Sequence, residues 1–563
     1  MSPLIEPYFG TLYWVDELDD DLLLEWKVPP LNPRLQLPPK NNYLPQDFRL
    51  VSIRSSSSSP PNSRKAANGV KRRGSKDQEA KQELDCENVF AGMASPSFSQ
   101  EPSNRSVPIR LLNEDGFQMW HVVDTQHRVP KSEIYISISS KAATSSFKNA
   151  ALNDLLVRVI NDAVIETVYM ARMAELESSI SSHDTGIKLH LSGFSDKALA
   201  LLSYLLESVF NTEDILLVDR VSRQVDLYSR ALQNENLKAV KCASNHRLYA
   251  LKPSRISAKH KLYALDKILH VSSDNIIAEL RSYVISFLSS VCIEGLIVGN
   301  ISNDAALLFS TELFSRLNEL RVAMSSTHRP SQSIVDLPVN KPLLLYVQPM
   351  NLKERNASIE AYFQLGKFDI VHLTYLDLLD QIVSESFFDE LRTKQQLGYT
   401  VQCGVRETFG ILAFCLQVVT SSHSLETAQT SIMNFVNTIT ENIQKLPERE
   451  FQSHVTALRD HYLQPHPSLA QAAEDFWSQV EERRYAFDHH LIQSSLLSSF
   501  VKADLITFCH SLFTTQRKLL VVHCAVNAEL TYHEGLARNG ALPFTIHSNA
   551  EDIHALGLYE SMV

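Results

Sequence analysis

The chain has 563 residues, 44% apolar and 21% charged, enough to bury cores in about three domains of ordinary size. Its formal charge of −11 argues against binding nucleic acid by neutralising phosphates, so no nucleic-acid partner is expected. No apolar run reaches the ~18 residues of a membrane span, and MSPLIEPYFG at the start lacks the basic and long apolar segments of a secretory signal. The seven cysteines are scattered and form no CxxC pair, which speaks against a disulfide framework or zinc ribbon and for a reducing, cytoplasmic compartment.

In chain order, residues 1–53 come first. Leu22 to Trp26 can form a short amphipathic helix, and Pro29, Pro30, Pro33, Pro38, Pro39 and Pro45 then pin an extended strap. Residues 54–104 are rich in Ser, Pro, Lys and Arg and read as a disordered insert. Within it, Lys71-Arg72-Arg73-Gly74-Ser75 reads either as a solvated linker or as a basic kinase site or localisation signal, with Ser75 the phosphoacceptor.

From about 105 onward strands and helices alternate. Ser132–Ser139 has period two, with Ile134, Ile136 and Ile138 on one face. Residues 151–176 and 196–210 have helical spacing, helices follow near 213–232 and 273–290, and 294–300 reads as a buried strand. A second copy lies about 224 residues downstream: Ile359, Ala361 and Phe363 answer the isoleucine strand, Gly410-Ile411 answers Gly186-Ile187, and Leu520 and Val522 answer Leu296 and Val298. Matching order at nearly one spacing marks an internal duplication. The fold class expected is α+β: two homologous α/β-roll domains in tandem, 105–331 and 332–563, each a sheet with helices packed on one face.

Neither HExxH nor HxxEH occurs, and His533-Glu534 has no second histidine after it. His454 and His461 can share a helical face but show no third ligand, and the sequential His489 and His490 should point apart on a helix. There is no GxxxxGK[ST] loop, strand-flanked GxGxxG or GxSxG elbow. Cys403 and Cys415 read as buried structural thiols.

The most informative stretch is 383–419, VSESFFDELRTKQQLGYTVQCGVRETFGILAFCLQVV. It reads as a helix turning through Gly398 into a strand, which brings Arg392 and Tyr399 together. A guanidinium and a phenol there can grip a peptide backbone or carboxylate. The plainer alternative is an arginine complementing the helix dipole beside a half-buried tyrosine.

LRTKQQLGY within this stretch resembles a motif in the last domain of the insulysin/nardilysin branch of the pitrilysin family of zinc metallopeptidases. EPYFGTLYWV and QLPPKNNYLP resemble the strap after that family's second domain, residues 164–176 its third-domain helix, and AEDFWSQVEERRYAFD its late fourth-domain helix pair. The resemblance covers nearly everything except 54–104. It implies that 1–53 is the end of a second domain, 105–331 a third-type and 332–563 a fourth-type domain. It implies that Arg392 and Tyr399 bind substrate and face the catalytic chamber. It also implies that the zinc ligands and general base lie in a first domain, so no cofactor or metal is expected on this chain.

Two functions follow as expectations. The first is the non-catalytic C-terminal half of a peptide-degrading zinc metalloendopeptidase, inactive alone, holding peptide substrates beside a catalytic N-terminal half in cis or in trans. The second is a zinc-less binding or assembly module that has lost peptidase activity. A lone half would expose an apolar interface, which favours aggregation or a homo-oligomer. The tail Glu560-Ser561-Met562-Val563 resembles a PDZ-type ligand, with a frayed terminus as the default.

Overall fold

The computed structural model describes residues 3–15, 17, 19–27, 40–52, 106–271, 275–330, 332–526, 545–547 and 549–559. Ser75 with the whole insert 54–104, the proline strap from Pro29 to Pro39, His533-Glu534 and the last four residues lie outside them. Two compact units separate at Asn42 and Tyr43. In the first, Leu4–Ile5 pairs antiparallel with Leu12–Tyr13, and Asp20–Lys27 forms the short helix expected near Leu22.

The second unit holds two six-stranded sheets. The first half of the unit contributes β1 (Ile109–Glu114), β2 (Phe117–Val123), β3 (Lys131–Ser140), α1 (Phe147–Arg172), β4 (Leu176–His183), β5 (Gly186–Phe194), α2 (Ala198–Phe210), α3 (Val218–Gln233), α4 (Ala239–Leu251), α5 (Ala258–Val271), α6 (Asn275–Leu288), β6 (Val291–Gly299) and α7 (Asn303–Glu319). The second half contributes β7 (Leu343–Val347), β8 (Ala357–Lys367), α8 (Ile370–Phe388), β9 (Thr400–Thr408), β10 (Ile411–Thr420), α9 (Leu425–Lys445), α10 (Glu448–Leu463), α11 (Leu469–Glu481), α12 (His489–Leu497), α13 (Lys502–His510), β11 (Leu519–Cys524) and β12 (Thr545–His547).

The strand orders are β1-β2-β6-β3-β5-β4 and β12-β7-β11-β8-β10-β9. They match position by position, which carries the duplication from hydrophobic anchors to topology. One strand differs: β1 is antiparallel to β2, whereas β12 returns from the C-terminal region and lies parallel to β7.

Each sheet buries its own helices on one face. Ile134, Ile136 and Ile138 meet Leu152, Leu155, Leu156 and Val159 of α1. Ile359, Ala361 and Phe363 meet Leu376, Leu379, Val383 and Phe387 of α8. Each isoleucine, leucine, valine or phenylalanine among them contributes roughly 1.5–3 kcal/mol by leaving water. The helices start at side-chain caps: Ser146 Oγ accepts from Asn149 N at 3.1 Å, and Asp369 Oδ1 from His372 N at 2.9 Å.

The opposite faces are also covered, each by a helix of the other half. Leu469, Ala473, Trp477 and Val480 of α11 pack on Trp120, Val122, Leu296 and Val298 of the first sheet. Ala239, Cys242, Ala243 and Tyr249 of α4 pack on Leu345, Tyr362, Cys415 and Val522 of the second. The two helices are equivalents in the repeat, so the halves exchange them reciprocally. Among the described residues no single helix is long and apolar enough to cross a membrane.

Candidate functional site

The corner holding Arg392 and Tyr399 is built by a helix that changes pitch. α8 continues into a wider turn over Asp389–Lys394, where Gln395 N donates to Glu390 O at 3.0 Å, five residues back. Such π-type turns re-aim side chains. Leu391 and Leu397 are buried on either side and pin it. The left-handed residue is Gln396, at φ 53°, rather than Gly398. Gly398 answers a different demand: a Cβ there would sit 1.8 Å from Val419 O, so only glycine lets the chain enter the sheet beside β10.

The two side chains are brought together. The Arg392 guanidinium lies 4.5 Å from the centre of the Tyr399 ring and 4.7 Å from that of Phe388, a cation held between aromatic rings. Tyr399 is 84% exposed, not half-buried. Lys394 is engaged by Asp389 at 3.1 Å and Glu390 at 3.2 Å, and Gln395 Nε2 donates to Glu390 at 3.1 Å. Among the described residues no carboxylate pairs with Arg392. Its donors and the neighbouring phenol therefore remain for an outside acceptor.

Other residues singled out from the sequence fall as follows. The Cys415 thiol donates to Glu360 at 3.1 Å and burial pushes it up; burial also raises Cys403 to about 12. Both are poor nucleophiles. His454 and His461 lie on α10 and, among the described residues, join no metal-sized group. His489 and His490, expected to diverge, converge instead. Their rings are 4.0 Å apart and their Nε2 atoms lie 3.4 and 3.6 Å from Asp475 Oδ1. They occupy the first turn of α12, and both rings reach sideways to one carboxylate on α11. Spacing along one helix could not show this, because the meeting point belongs to another helix.

A charged seam between the two sheets also escaped the sequence. Lys188 pairs with Glu481, Arg484 with Glu407, and Arg329 with Glu294. Glu482 lies among them; burial, with Glu407 nearby, holds its carboxyl up to about 7. The run Glu481-Glu482-Arg483-Arg484 was its only sequence signal.

Comparison with known proteins completes the site. A family model described as the middle or third domain of peptidase M16 matches residues 3–72 and 75–264. A model for the C-terminal lobe domain 4 of PQQ synthase PqqF-like proteins matches 378–477. The chain is 27% identical to an Arabidopsis thaliana nardilysin-like protein over 90% of its own length and 45% of that protein's. Human nardilysin is 26% identical over 92% and 40%, and human insulin-degrading enzyme 25% over 89% and 44%. The crystal structure of pitrilysin superposes with a TM-score of 0.75 at 15% identity, covering 100% of this chain and 53% of that one.

The chain is thus a homologue of the M16 peptidases, a family of zinc metallopeptidases. Its relatives are of the nardilysin and insulysin type, and the likeness covers a C-terminal-half-like region. The chain spans less than half the length of the curated relatives it matches. Its sequence contains neither HxxEH nor HExxH, so its residues do not fit a catalytic zinc centre of that pattern.

Proposed function

We propose that the chain is the non-catalytic, substrate-holding half of an insulysin- or nardilysin-like zinc metalloendopeptidase, acting on peptides together with a catalytic half in cis or in trans. The division into strap (1–53), insert (54–104) and two domains (105–331 and 332–563) is part of this reading, as is a zinc confined to the catalytic half. The observation that carries it is the stacked Arg392–Tyr399 pair, with Tyr399 exposed, at a helix-to-strand corner of an M16-type fold.

The chemistry is positioning. Arg392 offers a planar fork of charged donors to a peptide carbonyl or carboxylate, and Tyr399 adds a hydroxyl and a ring face. Sandwiching the guanidinium removes rotamer freedom before substrate arrives, and fixing a peptide can contribute several kcal/mol through orientation. Zinc, bound by a catalytic half, would supply the activated water. No step on this chain moves a proton.

The test is kinetic. With the catalytic half present, Arg392→Ala raises KM or lowers kcat for a peptide; unchanged values for both remove the substrate role. A second reading, a zinc-less binding or assembly module, is favoured by the likeness to a structure described as a peptidase M16 inactive domain from Pseudomonas fluorescens. That structure has a TM-score of 0.56 at 12% identity and covers 74% of this chain and 97% of that one. A co-purifying chain bearing HxxEH supports the first reading, and an unrelated partner the second.

A further inference from the structure

We infer that His466, Asp475 and His490 form a structural site for a divalent transition-metal ion, zinc being the best fit. The residues come from three places: the loop between α10 and α11, α11 itself, and the first turn of α12. One ligand atom from each lies within 4.8 Å of the other two. His466 Nε2 is 3.6 Å from Asp475 Oδ2, and His490 Nε2 is 3.6 Å from Asp475 Oδ1.

Those separations are too long for good hydrogen bonds, which fall at about 2.7–3.2 Å. They suit two ligands of one ion. Zinc bound tetrahedrally at ~2.0–2.1 Å sets neighbouring donor atoms about 3.3–3.4 Å apart. With one ligand atom from each residue, all three within 4.8 Å of one another, each edge of such a tetrahedron closes by at most about 1–1.5 Å.

Hydrogen bonding around the cluster points the same way. His489 Nδ1 lies 2.9 Å from the Ala486 carbonyl, which only an N–H can satisfy. Its Nε2 lies 3.4 Å from Asp475 Oδ1. His490 adds to this: its Nδ1 is buried and has no hydrogen-bond partner among the described residues. Neither neutral tautomer of His490 satisfies both of its nitrogens. With Nε2 on a metal, only the Nδ1–H is left to place. His489 then acts as an orienting neighbour of the carboxylate, the role outer residues commonly play around metal ligands.

Two imidazoles and a carboxylate, all part-exposed, leave a fourth position for water. The ion would tie the α10–α11 loop to α11 and α12. It would also stiffen the contact with the first half, where Gln126 Nε2 and His127 Nε2 lie 2.9 and 3.0 Å from the His466 carbonyl. Such an ion would depart from the expectation of no metal on this chain.

The test uses the full chain stripped of metal and titrated with zinc chloride, then with cobalt chloride. One equivalent of Zn2+ should bind and raise Tm, and Co2+ should develop the visible absorption of a low-symmetry site. His490→Gln and Asp475→Asn should each weaken Zn2+ binding at least ten-fold, while His454→Gln, outside the cluster, binds as the wild type does. If Asp475→Asn fails to fold, the part-exposed His490→Gln carries the comparison. Equal Zn2+ binding by all variants, or a wild-type Tm that moves with pH but not with Zn2+, overturns the site.

Discussion

At the scale of single residues, the corner at Arg392 depends on a glycine that touches no substrate. The 1.8 Å between a Cβ at position 398 and the Val419 carbonyl leaves no room even for a methyl group. Gly398→Ala should therefore destabilise by about 1–3 kcal/mol or more, read as a drop in the urea midpoint, and displace Tyr399. The outward position of Tyr399 makes Tyr399→Phe nearly neutral for stability, within about 0.5 kcal/mol. The closeness of Arg392 and Tyr399 was legible because a helix, a glycine and a strand follow within eight residues. The π-type turn was not: its cause is the burial of both Leu391 and Leu397, and burial is set by the sheet beneath them. The convergence of His489 and His490 was misread for the same kind of reason, since Asp475 is supplied by a neighbouring helix.

At the scale of elements, the reciprocal exchange of α4 and α11 holds the halves together. α4 carries Arg247, whose Nε donates to Glu360 Oε1 at 2.9 Å with both side chains buried. Arg247→Ala leaves a buried carboxylate unpaired and should cost about 3–5 kcal/mol. Replacing both partners, Arg247→Met with Glu360→Leu, should cost far less, because the penalty lies in the stranded charge. Urea unfolding of the two variants side by side distinguishes these outcomes. Strand alternation was readable, since Ile134, Ile136 and Ile138 repeat every second residue. The exchange was not, because an apolar helix face declares that it will be buried and not which sheet will bury it.

At the scale of the whole molecule, the seam between the sheets links stability to pH through Glu482. Its carboxyl is raised by burial and by Glu407 to about 7 in the folded chain, from an ordinary 4.5. Between those values the folded chain binds more protons at this site than the unfolded chain does. The contribution of Glu482 to stability therefore falls as pH rises through that window and levels off above it. Glu482→Gln should remove this loss, gaining on the order of 1–3 kcal/mol over the wild type above pH ~7 and little below pH ~4.5. Denaturant curves at several pH values read the difference directly.

The central claim, that this half of an M16-type fold holds peptide without cleaving it, is tested most directly by equilibrium binding. Fluorescence anisotropy of a labelled peptide of about 20–30 residues, titrated with the purified full chain, gives a Kd while mass spectrometry follows the peptide. The account predicts saturable binding, an intact peptide, and a Kd weakened about ten-fold by Arg392→Ala, equivalent to ~1.4 kcal/mol. Cleavage of the peptide by the chain alone, or a Kd indifferent to Arg392, would contradict it.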